Sequence, residues 1–228
     1  MTNIKLAVFD MAGTTVDEDN MVYKTVQKVI NQEGFDLSLA QVLAQGAGKE
    51  KYQAIIDILT AYTQANPVEE IADRAFGRFK STLEAVYNEA EIKGFDGVEA
   101  LFAQLKANGI KVVLNTGYDL KTATKLLQKL NWKIGEQVDA LITADDVTQG
   151  RPHPEMIQKA MQLFGIVDPR QVLKAGDSEI DILEGKNAHC GLTIGVLSGA
   201  QTKAQLQTVQ PDYILERLTD LSAILQLG

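Results

Sequence analysis

Residues 4–15 read Ile4-Lys5-Leu6-Ala7-Val8-Phe9-Asp10-Met11-Ala12-Gly13-Thr14-Thr15, an apolar run of strand length that ends on a carboxylate and passes into a Gly-Thr-Thr turn. The run is continuously apolar, the pattern of a strand covered on both faces of a parallel sheet. Similar β-rich runs occur at residues 111–115, 140–143, 172–175, 192–197 and 213–215. Between the later ones lie segments of helical period at 97–108, 120–130, 154–165 and 180–188. Strand alternating with helix over residues 92–228 predicts an α/β fold with a doubly wound parallel sheet.

Residues 17–91 break that rhythm. They hold no convincing strand, but carry helical patterns at 23–32, 37–43, 51–63 and, richer in charge, 69–89. An all-helical block between the first strand and the rest predicts a second, smaller domain. The core would then comprise residues 1–16 and 92–228, and the two adjacent linkers would form a hinge.

The composition bounds what such a chain does. Of its 228 residues, 45% are hydrophobic and 23% charged, as in ordinary globular proteins. Thirty acids against 22 bases give a net charge of -8. That balance argues against a nucleic-acid or anionic-membrane partner, which requires a basic face. No apolar run approaches the length of a membrane span, and no signal-like pattern precedes the first strand, so the expected location is cytoplasmic. One cysteine, Cys190, rules out an intramolecular disulfide and reads as a small buried hydrophobe. The apolar stripe at 23–32 leaves a homodimer through the helical block open.

In open parallel sheets, ligands bind outside the carboxyl ends of the strands. Asp10 lies at such an end, and alone it could simply cap the following turn. Three further strand ends add to it: Thr116-Gly117-Tyr118 after 111–115, Asp145-Asp146 and then Gly150-Arg151-Pro152-His153-Pro154 after 140–143, and Gly176-Asp177-Ser178-Glu179-Ile180-Asp181 after 172–175. A carboxylate, a hydroxyl, a cation and an acidic cluster at one sheet edge are what phosphoryl transfer requires. They provide a nucleophile, donors for the phosphoryl oxygens, and acids for a divalent ion. His153 and His189 read as a turn residue and a structural residue. Trp132, Tyr62 and Tyr87 read as packing, since no basic groove accompanies them.

These segments resemble the four motifs of the haloacid dehalogenase superfamily, whose fold is a Rossmann-like core with a cap. Asp10-Met11-Ala12-Gly13-Thr14-Thr15-Val16-Asp17, Asn115-Thr116-Gly117-Tyr118 and Gly150-Arg151-Pro152 are similar to its phosphonoacetaldehyde hydrolase branch. The resemblance implies that Asp10 attacks phosphorus and forms an aspartyl-phosphate. It implies that Thr116 and Arg151 hold the phosphoryl oxygens, with Thr14 and Gly117 also facing substrate. It further implies Mg²⁺ held by Asp10, the Ala12 carbonyl and Asp177, with Asp181 completing the acidic cluster.

Ala12 is the informative departure. Phosphomonoesterases of the superfamily carry an aspartate there that protonates the leaving group, and a methyl group cannot do so. The phosphonatase branch instead uses a cap lysine that forms a Schiff base with an aldehyde. Gly48 with Lys51 fits that pattern and keeps Ile55, Ile58 and Leu59 in helical register. Gly46 with Lys49 fits the spacing but sets the apolar stripe less well. The histidine that follows the family's lysine is replaced by Ala54 in the first register and Tyr52 in the second.

The leading expectation is therefore a Mg²⁺-dependent, phosphonatase-like hydrolase of a small phosphonate or phosphate ester. The alternatives are a phosphomonoesterase whose general acid comes from the cap, a metal-free haloacid dehalogenase, and a binding module without activity. If Asp10 is the nucleophile, Asp10→Asn abolishes turnover while the denaturant midpoint stays nearly unchanged; phosphate release by that variant would remove the assignment.

Overall fold

The computed structural model describes residues 3–227. Six parallel strands form one sheet in the order β5-β4-β1-β6-β7-β8. They are β1 (Leu6–Asp10), β4 (Lys111–Asn115), β5 (Ala140–Ile142), β6 (Val172–Gly176), β7 (Leu192–Val196) and β8 (Tyr213–Leu215). The chain builds outward from β1 to β4 and β5 on one side, then crosses to β6, β7 and β8 on the other. The sequence order thus reverses at β1, the kind of position where α/β sheets bind ligands.

The apolar runs are continuous because both sheet faces are covered. Leu6 and Val8 pack with Val113, Ile142, Met156 and Ile157 on one face. Ala7 and Phe9, pointing the other way, join Val112, Leu114, Leu101 and Phe102 on the opposite face. The covering helices are α5 (Val98–Ala107), α6 (Leu120–Leu130), α7 (Glu155–Leu163) and α8 (Glu179–Asn187). Asp119 starts α6 by accepting a hydrogen bond from the Thr122 amide at 2.7 Å, and Asn131 ends it in the left-handed conformation. Two short helices, α9 (Lys203–Thr208) and α10 (Leu221–Leu225), carry too few residues to show a clear period in the sequence.

Between β1 and β4 lie α1 (Met21–Asn31), α2 (Leu39–Gly46), α3 (Lys51–Tyr62) and α4 (Val68–Glu89). The apolar stripe of α1, formed by Val22, Val26, Val29 and Ile30, is buried within the same chain. Two short strands escape the sequence reading. β2 (Val16–Asp17) and β3 (Lys93–Gly94) pair antiparallel, with Val16 opposite Gly94 and Asp17 opposite Lys93. Two-residue strands have no periodicity to detect. Their pairing puts the two crossings into the helical block side by side.

The Phe102 ring stacks on Phe9 at 5.7 Å and meets the edge of Trp132 at 5.3 Å. Removing it opens a cavity between sheet and helix, so Phe102→Ala is expected to cost about 3–5 kcal/mol. Urea unfolding followed by the fluorescence of the single tryptophan measures this directly; a loss under about 1 kcal/mol would mean the site collapses freely.

Candidate active site

Register levels the C-terminal ends of the three central strands. Asp10 lies opposite Asn115 of β4, and Phe9 opposite Ala175 of β6. Asp10, Thr116 and Asp177 therefore emerge at one edge. Gly13, in the left-handed conformation, lets the turn after β1 fold over Asp177; a Cβ there would collide with that carboxylate.

Arg151 reaches into this edge from the loop before α7. Its Nη1 donates to Asp10 Oδ1 at 2.7 Å and also to Asp181 Oδ1. Beneath it, Lys174 of β6 is fully buried and contacts Asp181 Oδ1 at 2.9 Å, Glu184 Oε2 at 3.2 Å and Asn115 Oδ1 at 2.7 Å. Asn115 turns its amide onto both Glu184 oxygens at 2.9 Å. Each charged group in this lattice has an opposite charge or a hydrogen bond, as burial requires.

The balance is uneven. Burial raises the pKa of Asp181, but Arg151 and Lys174 outweigh it and hold that carboxyl at about 2. Asp177 has no cationic partner among the described residues. Burial, with Asp10 and Asp181 nearby, pushes it up to about 8, although the Ala200 amide donates to its Oδ2 at 2.6 Å. Burial also keeps Asp10 above the ordinary carboxylate range, against the pull of Arg151. Oxygens of Asp10, Asp177 and Asp181 lie within 4.8 Å of one another, all buried. An oxygen-only donor set with excess negative charge fits a hard divalent cation, which would remove the cost of ionising Asp10 and Asp177 together.

A cavity of about 20 Å³ lies over Asp10, lined also by Ala12, Tyr23, Lys51, Thr116 and Arg151. That is room for about one water molecule. Lys51, Gly117 and Tyr118 also line an adjoining cleft of about 400 Å³ between α4 and α6, walled by Phe76, Phe79 and Leu83.

The two lysines of the helical block diverge. Glu50 caps α3 through the amides of Tyr52 and Gln53, which makes Lys51 the first helical residue and turns it into the cavity. Burial, and then the Arg151 charge, lower its pKa to about 8. Its place at a helix N-terminus acts in the same direction. Lys49 instead pairs with Asp57 and does not line the cavity. Thr14 is buried with its hydroxyl unpartnered, while the Thr15 hydroxyl donates to the Asp10 carbonyl. Asp145 caps the amide of Leu120, and Asp146 binds Thr143, so neither reaches the acidic cluster. His153 and His189 line a separate hollow with Lys186. Burial pushes the Cys190 thiol up to about 12, as for a residue that packs and does not react.

The sequence reading missed Lys174 and Glu184. A lysine inside an apolar strand was a usable signal, since it requires buried acids. Glu184 lies three residues after Asp181, on the same helix face. Glu18 was missed as well. It is buried and accepts a hydrogen bond from the Tyr87 hydroxyl, a partner 69 residues away that no local pattern reveals.

A family model described as haloacid dehalogenase-like hydrolase matches residues 4–189. A phosphonoacetaldehyde hydrolase of Lactiplantibacillus plantarum is 30% identical, over 97% of this chain and 95% of that protein. Among solved structures, a phosphonoacetaldehyde hydrolase-like protein from Oleispira antarctica aligns with a TM-score of 0.83 at 23% identity, covering 98% of this chain and 92% of that one. A predicted phosphoglycolate phosphatase from Haemophilus somnus aligns at 0.77 and 21% identity, over 99% of this chain and all of that one. The chain belongs to the haloacid dehalogenase-like hydrolases. It is an enzyme of that family, and it resembles curated phosphonoacetaldehyde hydrolases in sequence.

Lys174→Met is expected to destabilise the metal-free protein by about 3–5 kcal/mol, because Asp181 and Glu184 lose their buried counter-charge. Chemical denaturation checks this; an unchanged midpoint would mean that the two acids take up protons at no cost.

Proposed function

We propose that this enzyme hydrolyses a small phosphonate carrying a carbonyl group, with Asp10 as nucleophile, Lys51 as the carbonyl-binding amine and Mg²⁺ as cofactor. The observation that carries this reading is Lys51, buried in the same cavity as Asp10 with its pKa lowered to about 8. An amine must be partly neutral to attack a carbonyl, and burial beside a second cation achieves that. The second cation here is Arg151, since Lys49 is occupied by Asp57.

In this reading, Asp10 attacks phosphorus while Arg151 and the Thr116 hydroxyl hold the equatorial oxygens. Gly117 leaves the space beside Arg151 open, and Thr14 supports the turn behind Asp10. Asp10, Asp177 and Asp181, with the Ala12 carbonyl, would hold the Mg²⁺, which neutralises phosphoryl charge when bound. Lys51 adds to the substrate carbonyl, the carbonyl oxygen leaves as water, and the resulting iminium accepts the electron pair of the P–C bond as that bond breaks. Residues 17–91 act as a cap. In this reading the block swings on the β2–β3 ribbon to let substrate in through the adjoining cleft, since the space over Asp10 holds about one water. The substrate is a small molecule and needs no nucleic-acid or membrane partner.

One observation favours a second reading, phosphate-ester hydrolysis with a proton donor from the cap. Position 54 is a buried alanine, so the place three residues after Lys51, where a histidine would stand, holds no acid–base group.

The test is inorganic phosphate release from phosphonoacetaldehyde and from small phosphate esters, with Mg²⁺ and with a chelator. Release from the phosphonate, abolished by chelation and by Lys51→Arg, is the expected result. Borohydride added with substrate should inactivate the wild type but not that variant. Release from esters alone would replace the first reading by the second.

A further inference from the structure

Position 12 is alanine and position 54 is alanine, so neither place where an acid would be sought holds one. The proton needed at the leaving group must come from elsewhere. One buried chain of titratable side chains leads to the cavity. Glu18 follows β2, at the first crossing into the helical block. Its Oε2 accepts from the Tyr87 hydroxyl at 2.9 Å and from the Val22 amide at 3.0 Å. The Tyr87 hydroxyl, in the last turns of α4, lies 3.0 Å from that of Tyr118. Tyr118 lines the cavity that holds Asp10 and Lys51. All three residues are buried, and Glu18 has no salt-bridge partner among the described residues.

We propose that Glu18 is a positioning residue for the reaction, a proton reservoir that acts on the leaving group through the hydroxyls of Tyr87 and Tyr118. The argument is a count of protons. An ionised Glu18 can only accept, so Tyr87 donates to it, Tyr118 donates to Tyr87, and the Tyr118 oxygen has only a lone pair left to offer a further partner. With a proton on Glu18 the chain reverses: Glu18 donates to Tyr87, Tyr87 to Tyr118, and Tyr118 into the cavity. Burial places Glu18 where that switch is accessible, at a pKa of about 7, with the Tyr87 and Val22 hydrogen bonds and the Lys51 charge opposing a larger rise. The titratable groups facing it are Tyr87 from α4, Tyr23 from α1, Lys51 from α3 and Tyr118 from the loop after β4.

This inference rests on the reading that Asp10 is phosphorylated. When an ester is cleaved, the P–O electron pair stays on the departing oxygen. That oxygen takes the Tyr118 proton, Tyr118 takes that of Tyr87, and Tyr87 takes that of Glu18. When a phosphonate is cleaved, the P–C pair passes to the iminium nitrogen on Lys51, the enamine carbon takes the same proton, and a water molecule then hydrolyses the restored iminium, freeing the aldehyde and the Lys51 amine. Water then adds its oxygen to phosphorus, the bond to Asp10 breaks, and one water proton returns along the chain to Glu18.

Glu18→Gln keeps an acceptor for Val22 and Tyr87 but carries no transferable proton, and Tyr118→Phe cuts the chain without touching Glu18. Both are assayed with Mg²⁺ on phosphonoacetaldehyde, phosphoglycolate and 4-nitrophenyl phosphate, whose nitrophenolate leaves without a proton. Each variant should lose roughly 100-fold or more in kcat on whichever of the first two the wild type turns over, and at least about tenfold less on the nitrophenyl ester. The wild type's decline in kcat above about pH 7, where Glu18 gives up its proton, should be absent from Glu18→Gln. If that variant does not fold, the substrate pattern of Tyr118→Phe decides. Equal losses on all substrates turned over, or an unchanged pH profile, would overturn the relay. A wild type that releases phosphate from none of the three removes the aspartyl-phosphate reading, and the relay with it.

Discussion

The whole site depends on holding four buried acids, Asp10, Asp177, Asp181 and Glu184, beside two buried cations, Arg151 and Lys174. Each cation is shared: Arg151 bridges Asp10 and Asp181, and Lys174 bridges Asp181 and Glu184. Asp181, touched by both, is ionised far below neutrality, whereas Asp177, touched by neither, resists ionisation up to about pH 8. The negative surplus is therefore local and lies beside the proposed nucleophile. A divalent cation is the simplest group that settles such a surplus among buried carboxylates.

The same economy of charge extends into the helical block. Lys51 enters the cavity because Glu50 caps α3 one residue earlier and because Gly48, in the left-handed conformation, lets the preceding turn lie against Ser178 and Ile180. Arg151 thereby influences two groups at once, stabilising the carboxylate of Asp10 and lowering the pKa of Lys51. An apolar cluster running from Phe9 through Met11 and Val16 to Val22 joins the sheet to the block. The β2–β3 ribbon holds the two chain crossings together beneath it.

Much of the fold was legible because its signals are local. Continuous apolar runs gave the strands within a residue or two at each end, and helical period gave α1 to α8. The two-residue ribbon and the shortest helices were not legible, since a period needs several repeats to be seen. Tyr87 read as a packing residue, and its ring does pack, in an edge contact with Tyr118. Its hydroxyl, however, joins Glu18 to Tyr118, and a side chain's two ends obey different rules.

By itself the sequence determined which chemical groups stand at the ends of the strands, because chain direction and alternating faces put Asp10, Thr116 and Asp177 at one edge whatever the packing. It also determined what is missing there, since a methyl group at position 12 carries no proton in any fold. Only the tertiary structure decided between Lys49 and Lys51 at the cavity, because the choice turns on which ammonium is buried and which finds an acid two helical turns away. Only it brought Glu18 into line with Tyr87 and Tyr118. Charge and proton transfer depend on distances across the fold, and residues 69 and 31 positions apart along the chain come within 3 Å only after folding.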